Sequence, residues 1–290
     1  MITPGVRPRG DRLPDETRPG AVELLVSDLA RSLDYYRDVL GLTVLEAQAD
    51  AAALGPSGGP ALLSLRTRPS VRRASGARLG LFHFALLVPD RPSLGRFLSH
   101  LATTRVPMAS ADHAVSEAIY LQDPDGLGIE VYCDRPRETW RMSGDEIYMT
   151  TERLDLRGLS EAGRGREFTG LPAGTVLGHM HLHVGDLDQA SAFYHDQIGF
   201  DRMVWSYPGA LFLAAGGYHH HLGTNTWAGG AAPRADEEAG LLGWDLVLPT
   251  ADDVAVVSRR VSAAGGTVTT EGTGAAVADP WGTRLRLRAR

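Results

Sequence analysis

A repeat within the chain constrains its fold more than any other feature. VSDLARSLDYYRDVLGL, at residues 26–42, aligns with VGDLDQASAFYHDQIGF, at residues 184–200, and the two segments are identical at six of seventeen positions. In each copy an aspartate precedes apolar residues at helical spacing and a glycine follows them, as is typical of an N-cap and a C-cap. The two copies indicate that a strand–helix unit has been duplicated.

Two further pairs of similar segments extend the repeat to four units. GLFHFALLVPD, at residues 80–90, aligns with GLLGWDLVLPT, at residues 240–250. DPDGLGIEVY, which begins at Asp123, aligns with DPWGTRLRLR, which begins at Asp279. Each of these is an Asp-Pro turn followed by an alternating strand. We therefore predict an α+β fold that is built from βαβββ units.

The units divide the chain into two predicted domains. The four units cover residues 20–66, 80–134, 177–228 and 240–290. The first two units form a domain at 20–134 and the last two a domain at 175–290, and a polar connector at 135–174 joins them. Residues 1–19 are rich in Pro and Arg, and we predict that they form a flexible arm.

Composition indicates a folded protein and argues against several functions. Hydrophobic residues make up 43% of the chain and charged residues 22%, as is typical of globular proteins. The net charge of −6 argues against nucleic-acid binding. The single cysteine, Cys133, excludes an intramolecular disulfide, and no apolar run is long enough to cross a membrane. We expect a cytoplasmic protein with no membrane partner, and the sequence leaves a homo-oligomer open.

The most specific motif is DHAVSEAIYLQDPDGLGIEVY, at residues 112–132. It resembles the signature of extradiol dioxygenases, in which His, an apolar residue with Tyr, Asp-Pro-x-Gly and Glu follow one another at set spacings. The matching residues are His113, Tyr120 and Glu130, whereas Ala111 stands where the signature prefers glycine. A simpler interpretation is that Tyr120 and Glu130 are strand residues beside a turn, and that Glu130 faces solvent.

Together, the repeat and the motif resemble the vicinal-oxygen-chelate superfamily, which includes glyoxalase I, bleomycin-resistance proteins and type I extradiol dioxygenases. The closest likeness is to the two-domain catechol-2,3-dioxygenase subgroup, from about residue 20 to the C-terminus. The resemblance implies that pairs of βαβββ units form curved sheets around a divalent metal. It also implies that two histidines and one carboxylate hold this metal.

By position, the resemblance assigns the metal to His83, His179 and Glu130. The corresponding positions of units 1 and 4 are Ala21, Gly243 and Arg286. A complete ligand set therefore requires unit 2 to pair with unit 3, which leaves unit 1 to pair with unit 4. Pairing of consecutive units would leave both sites incomplete, and the sequence leaves the two arrangements open.

Three consecutive histidines, His219, His220 and His221, lie near the end of unit 3. The resemblance implies a catalytic histidine on the last strand of that unit. Because side chains of a strand alternate between faces, either His220, or His219 and His221, would face the metal. A count from the preceding turn favours His221, with His220 as the second choice.

The resemblance implies a catechol-type aromatic substrate, O₂ as co-substrate and Fe(II) as the preferred cofactor, with Mn(II) or another divalent metal as the alternative. His221 or His220 would accept a phenolic proton. Tyr120 and His113 would hydrogen-bond the substrate oxygen and supply a proton. The predicted substrate pocket also includes His181, Trp227 and Trp244.

Two other functions are compatible with the same fold. One is a different metalloenzyme, such as a glyoxalase-like lyase or isomerase, although the pair of His113 and Tyr120 has no evident use in such an enzyme. The other is a metal-free protein that binds a small molecule or an antibiotic, although the ligand set in the middle of the chain argues against it. Fold alone does not decide between them.

Overall fold

The computed structural model describes residues 4–290, and its strands follow the four predicted units. Unit 1 contains β1 (Arg18–Leu25), β2 (Thr43–Ala47), β3 (Ala51–Gly55) and β4 (Leu63–Arg66). Unit 2 contains β5 (Gly80–Leu87), β6 (Ala109–Asp112), β7 (Ser116–Gln122) and β8 (Gly128–Asp134). The connector contains β9 (Met142–Ser143) and β10 (Glu146–Ile147). Unit 3 contains β11 (Val176–His183), β12 (Asp201–Val204), β13 (Ala210–Ala214) and β14 (Leu222–Asn225). Unit 4 contains β15 (Gly240–Leu248), β16 (Thr269–Glu271), β17 (Gly274–Ala278) and β18 (Arg284–Ala289).

Helices connect the first and second strands of each unit. The α-helices are α1 (Leu29–Asp34), α2 (Arg91–Thr104), α3 (Leu156–Ala162) in the connector, α4 (Leu187–Ser191) and α5 (Ala251–Ala263). In units 1 and 3 the short α-helix continues as a π-helical turn, at Tyr35–Val39 and Ala192–Ile198. Within residues 4–290, no helix has the length and apolar character that a membrane span requires.

The strands form two eight-stranded sheets, and each sheet combines units from both predicted domains. Sheet A joins units 3 and 2 in the order β12-β13-β14-β11-β5-β8-β7-β6. Sheet B joins units 4 and 1 in the order β16-β17-β18-β15-β1-β4-β3-β2. The α+β fold is therefore confirmed, with the exchanged pairing that the complete ligand set requires. The antiparallel contacts of β5 with β11 and of β1 with β15 hold the units together.

Alternation along the central strands separates an apolar face from a polar face. On β11, Met180 and Leu182 are fully buried in the main core, and Phe84 of β5 packs in the same core. Strand residues that alternate with these point away from the core. His179 and His181 therefore lie on the opposite face of sheet A, where the candidate site forms.

The predicted flexible arm is packed over its described part, whereas residues 1–3 lie outside the described residues. Leu13 is 1% exposed, and its backbone N–H donates to the carbonyl of Gly199. Arg12 forms an ion pair of 2.8 Å with the buried Asp201. The polar composition of this segment indicated an arm in solvent, but one leucine and one buried ion pair attach it to unit 3.

The repeated tyrosine and the repeated Asp-Pro turn interact across the two sheets. The hydroxyl of Tyr36 in unit 1 donates to Asp123 Oδ2 of unit 2 at 3.0 Å. The hydroxyl of Tyr194 in unit 3 donates to Asp279 Oδ2 of unit 4 at 2.9 Å. All four side chains are buried. Units 1 and 2 lie in different sheets, as do units 3 and 4, and each of these pairs is thus connected by the two residue types that recur in the sequence.

Replacing Tyr36 with phenylalanine is expected to lower the free energy of unfolding by about 1–3 kcal/mol, because one oxygen of the buried Asp123 loses its donor. Urea denaturation of the full chain measures this change. Tyr35 is a matched control, since its buried hydroxyl has no hydrogen-bond partner among residues 4–290. Equal destabilisation by Tyr35→Phe and Tyr36→Phe would contradict the role of the Tyr36–Asp123 bond.

Candidate metal centre

Three neighbouring strands of sheet A bring His83, Glu130 and His179 together. In the register of the sheet, Ala85 on β5 pairs with His179 on β11 and with Glu130 on β8. His83 precedes Ala85 by two residues and therefore lies on the same face of β5. Because Ala85 has only a methyl group, the three longer side chains can meet over it.

A β-bulge in β5 places a second side chain beside His83. His83 pairs with His181 of β11. The next residue of β11, Leu182, pairs with Leu81, so that Phe82 is an extra residue in β5. A bulge of this kind bends the strand and changes the direction of its side chains. Phe82 consequently lines the same cavity as His83, with 5.0 Å between the two ring centroids.

The ligand atoms of the triad form a compact triangle. Nε2 of His83 lies 3.0 Å from Glu130 Oε2, and Nε2 of His179 lies 3.1 Å from the same oxygen. The two Nε2 atoms are 3.4 Å apart. Metal bonds of about 2.1 Å at right angles would set neighbouring ligand atoms about 3 Å apart. Two imidazoles and a carboxylate at this spacing fit one divalent first-row metal.

The charge states of the triad also suit a metal. Burial lowers the pKa of His83 below its ordinary value, which keeps the imidazole neutral. Burial opposes the charge of Glu130, but His179 and His83 hold the pKa of this carboxyl well below its ordinary value. A neutral imidazole and an ionised carboxylate are the forms that bind metals. Within residues 4–290, no other group of three or more His, Cys, Asp or Glu side chains converges in this way.

His113 and Tyr120 form a hydrogen-bonded pair beside the triad. Tyr120 lies opposite Glu130 across β7 and β8, and its hydroxyl is 2.6 Å from Nε2 of His113. Nδ1 of His113 is 2.6 Å from the carbonyl oxygen of Thr150. Because a carbonyl only accepts, His113 is protonated on Nδ1 and Nε2 accepts from Tyr120. Burial, with the charge of Glu130, raises the pKa of Tyr120 well above its ordinary value, so the phenol keeps its proton.

Of the three consecutive histidines, His220 lines the cavity of the triad. Its ring centroid lies 4.1 Å from that of His179. Burial and the neighbouring imidazoles hold the pKa of His220 well below its ordinary value, so the ring is neutral. His221 is placed differently: its Nδ1 accepts from the backbone N–H of Ala215 at 3.2 Å, and its ring stacks on Tyr218.

The preference for His221 came from a count from the preceding turn, and that count assumed a strand that the structure does not contain at this point. Strand β14 begins only at Leu222, and the three histidines lie in the turn before it. Side chains of a turn follow its local backbone angles and not a two-residue period. His220 is therefore the histidine that the structure brings to the triad.

The predicted pocket residues divide into two that line the cavity and one that does not. His181 lies beside His83, with 4.9 Å between ring centroids, and its Nε2 accepts from the amide of Asn225 at 2.9 Å. Trp227, which is 48% exposed, stands at the cavity wall against Phe82. The prediction that Trp244 lines the pocket is wrong, because Trp244 is fully buried in the core beneath sheet B. The alternation of residues along β15 did not indicate which of its two faces packs in the core.

The cavity over the triad has a volume of about 1360 Å³ and mixed walls. Its polar lining includes the triad and its histidine neighbours, together with Arg73, Arg78 and Arg234. Its aromatic lining residues are Phe82, Tyr120, Tyr207, Phe212, Trp227 and Trp281. A flat aromatic molecule would fit between such walls, with its polar edge toward the triad.

The corresponding positions of sheet B contain an internal ion pair network. Arg286 pairs in register with Asp245, as Glu130 does with Ala85 in sheet A. The guanidinium of Arg286 contacts Asp245 Oδ1 and Glu23 Oε2, each at 2.5 Å. Burial opposes the charge of Glu23, but Arg66 and Arg286 hold its pKa below the ordinary value. A fixed cation of the protein thus stands where sheet A offers a carboxylate ligand.

Purified protein loaded anaerobically with a divalent first-row metal is therefore expected to hold about one equivalent per chain, since among residues 4–290 only sheet A offers a facial triad. Elemental analysis against protein concentration measures this ratio. Two equivalents, of which one is lost in Glu23→Ala and the other in Glu130→Ala, would contradict a single site.

Sequence reasoning missed several residues that shape the site. Phe82 enters the cavity through the bulge, which leaves no mark in the sequence beyond the apolar run around it. Thr150 orients His113 through a backbone carbonyl, and any residue type supplies a carbonyl. Asn225 connects two histidines, since its Oδ1 lies 2.7 Å from Nδ1 of His183 while its amide donates to His181. The position of Asn225 opposite the repeated histidines of β11 was the one available signal.

Comparison with known proteins agrees with this architecture. Over 256 residues, the chain is 45% identical to a protein named catechol-2,3-dioxygenase from Bacillus subtilis (strain 168), which covers 87% of the chain and 90% of that protein. Among solved structures, it is similar to a proposed dioxygenase from Bacillus subtilis subsp. subtilis str. 168, with a TM-score of 0.65, 14% identity and coverage of 96% of this chain and 86% of the other. It is also similar to glyoxalase I from Zea mays, with a TM-score of 0.53, 16% identity and coverage of 94% and 92%.

At such identities, the two structural similarities show the shared fold alone. The family model of the glyoxalase/bleomycin resistance protein/dioxygenase superfamily matches residues 18–131 and again residues 176–287. These two matches span most of the chain and coincide with the internal repeat. The chain therefore belongs to the glyoxalase/bleomycin resistance protein/dioxygenase superfamily.

Proposed function

We propose that this protein is an Fe(II)-dependent extradiol dioxygenase, which uses O₂ to cleave a catechol-type ring beside its two hydroxyl groups. The observation that supports this most is the meeting of a His–Glu–His triad, a His–Tyr pair and a further neutral histidine in one cavity. The relative named catechol-2,3-dioxygenase supports the same reaction class. We propose the repeated segments at 20–134 and 175–290 as the two sequence domains of this enzyme, and each sheet takes one unit from each of them.

His83, Glu130 and His179 would hold the metal, and their position on three adjacent strands leaves the cavity side open for substrate. When bound, Fe(II) would supply the redox chemistry between O₂ and the aromatic ring, with Mn(II) as the alternative metal. The protein supplies orientation, exclusion of water and control of protons.

His220 is the proposed acceptor of a phenolic proton, because it is neutral, buried and in contact with His179. Tyr120 gives its own proton to the bond with His113, so its oxygen can accept a hydrogen bond from a substrate hydroxyl. When a substrate hydroxyl passes its proton to Tyr120, the proton of Tyr120 would move to Nε2 of His113, and it would later return through Tyr120 to a product oxygen. His113 and Tyr120 thus form the proposed proton donor of the later steps.

The aromatic walls would orient the ring of the substrate. Phe82 and Trp227 meet edge to face at 5.6 Å, and Phe212 packs against His220 at 4.9 Å between centroids. Such surfaces bury an apolar ring and exclude water from the reacting edge. The proposed substrate is therefore a small aromatic with two adjacent hydroxyl groups.

The test is anaerobic loading with Fe(II), followed by addition of ¹⁸O₂ and a panel of substituted catechols. The proposal predicts uptake of one O₂ per catechol consumed, and an open-chain semialdehyde or keto acid that contains ¹⁸O. Cleavage between the two hydroxyl groups would instead give a dicarboxylic acid and would contradict the proposal. Conversion of a hemithioacetal without O₂ uptake would identify a glyoxalase-like enzyme.

A further inference from the structure

A chain of hydrogen bonds leads from the cavity to a carboxylate outside it. Nδ1 of His220 lies 2.7 Å from Nδ1 of His219, and Nε2 of His219 lies 2.9 Å from Asp134 Oδ1. His219 is completely buried, whereas the side chain of Asp134 is 28% exposed. Asp134 ends strand β8, the strand that also contains Glu130. This hydrogen-bond chain therefore ends on β8, the strand that contains the proposed metal ligand Glu130.

The donors and acceptors of this chain determine which nitrogens hold protons. An ionised carboxylate only accepts, so Nε2 of His219 donates to Asp134. In a neutral His219, Nδ1 is then an acceptor, and the proton in the short contact belongs to Nδ1 of His220. Nε2 of a neutral His220 is consequently left without a proton. It is the nitrogen of His220 that can accept one from a bound molecule.

Neighbouring side chains hold His219, the middle residue of this hydrogen-bond chain, in one orientation. The ring of His219 packs against Tyr218 and Trp140, at centroid distances of 4.0 Å and 5.2 Å. The hydroxyl of Tyr218 donates to the same oxygen of Asp134 at 3.1 Å. His219 is fully buried and both of its ring nitrogens are hydrogen-bonded, so the direction of the hydrogen bonds follows from Asp134.

We propose that Asp134 and His219 are positioning residues, which fix the orientation and the tautomer of His220 so that its Nε2 is an acceptor toward the cavity. The inference rests on the proposed function, in which His220 accepts a phenolic proton. It adds two residues that do not touch the substrate. The arrangement resembles in logic the carboxylate that orients the histidine of a hydrolase triad.

Nitrogen-15 NMR of histidine-labelled full-length protein tests the tautomer directly, without metal and with diamagnetic Zn(II) as the probe of the loaded site. The signals of His220 are assigned by their loss in His220→Ala. The expected result is a proton on Nδ1 and none on Nε2. A proton on Nε2 of His220 in the unmodified protein would overturn the inference.

Two substitutions of His219 separate tautomer control from packing. His219→Leu removes the acceptor and is expected to give mixed tautomers of His220 and to lower kcat several-fold, with KM nearly unchanged. His219→Asn returns an acceptor oxygen near the place of Nδ1, and it is expected to restore the Nδ1-protonated form and much of the rate. An unchanged tautomer and rate in His219→Leu would overturn the inference.

Tyr218→Phe is the matched control, because it removes the other donor to Asp134 but keeps the bond from His219. The tautomer of His220 is expected to stay the same, and a loss as large as that of His219→Leu would overturn the inference. If His219→Leu does not fold, Asp134→Ala removes the carboxylate instead and is expected to give the same mixed tautomers. If no catechol is cleaved, the proposed function fails, while the NMR experiment still decides the tautomer.

Discussion

Replacing Glu130 with alanine is expected to remove the metal and the ring-cleavage activity together. Glu130 Oε2 is the atom that both His83 and His179 approach, at 3.0 and 3.1 Å. Without it, the two imidazoles face a buried space with no anion to balance a divalent cation. Mutation of residues that hydrogen-bond to metal ligands already lowers metal affinity by about 10–100-fold. The loss of a ligand itself should therefore lower metal affinity by more than about 10²-fold.

Glu23→Ala is the matched control for this experiment, since it removes a partly buried carboxylate from the corresponding region of sheet B. It should leave metal content and activity nearly unchanged. Elemental analysis and O₂ uptake on the same samples give both readouts. A Glu130→Ala protein that keeps one equivalent of metal and full turnover would show that the triad is not the metal site.

Replacing His220 with alanine is expected to leave the metal bound and to lower ring cleavage by about 10²–10⁴-fold, the usual contribution of a general acid or base. The reason is that His220 lines the cavity beside His179 but contributes no atom to the triangle of ligands. Metal content by elemental analysis and kcat by O₂ uptake separate this result from that of Glu130→Ala.

His221→Ala offers a control at the adjacent position. His221 is half-buried, desolvation lowers its pKa to about 3, and its Nδ1 accepts from the backbone N–H of Ala215. Its loss should affect stability more than turnover. If His221→Ala loses turnover while His220→Ala keeps it, the assignment of the proton acceptor to His220 is wrong, and the original count from the turn is right.

The repeat could be predicted from the sequence because it depends on local patterns. The period of the strands places His179 and His181 on one face. The residues of the candidate triad were assigned by their positions in the family that the chain resembles. The sequence left two pairings of the units open, and Arg286 at the position of a carboxylate was the signal that favoured the exchanged pairing, which the sheets contain.

The features that could not be predicted depend on backbone geometry, which the spacing of residues in the sequence does not reveal. The bulge at Phe82 changes the direction of a side chain without changing the composition of β5. The histidine run ends immediately before β14, which begins at Leu222, and a shift of this size is within the usual uncertainty of a strand boundary. Trp244 and Leu13 are buried by packing between distant segments. Whether a strand residue faces a cavity or the core depends on what packs against that face of its sheet, and the sequence of the strand does not specify this.

Anomalous diffraction from crystals of the Fe(II)-loaded protein, measured at the iron absorption edge, tests the central claim most directly. We predict one anomalous peak per chain, within bonding distance of Nε2 of His83, Nε2 of His179 and a carboxylate oxygen of Glu130. A peak located instead at the histidine run, or among Glu23, Asp245 and Arg286 of sheet B, would contradict the account.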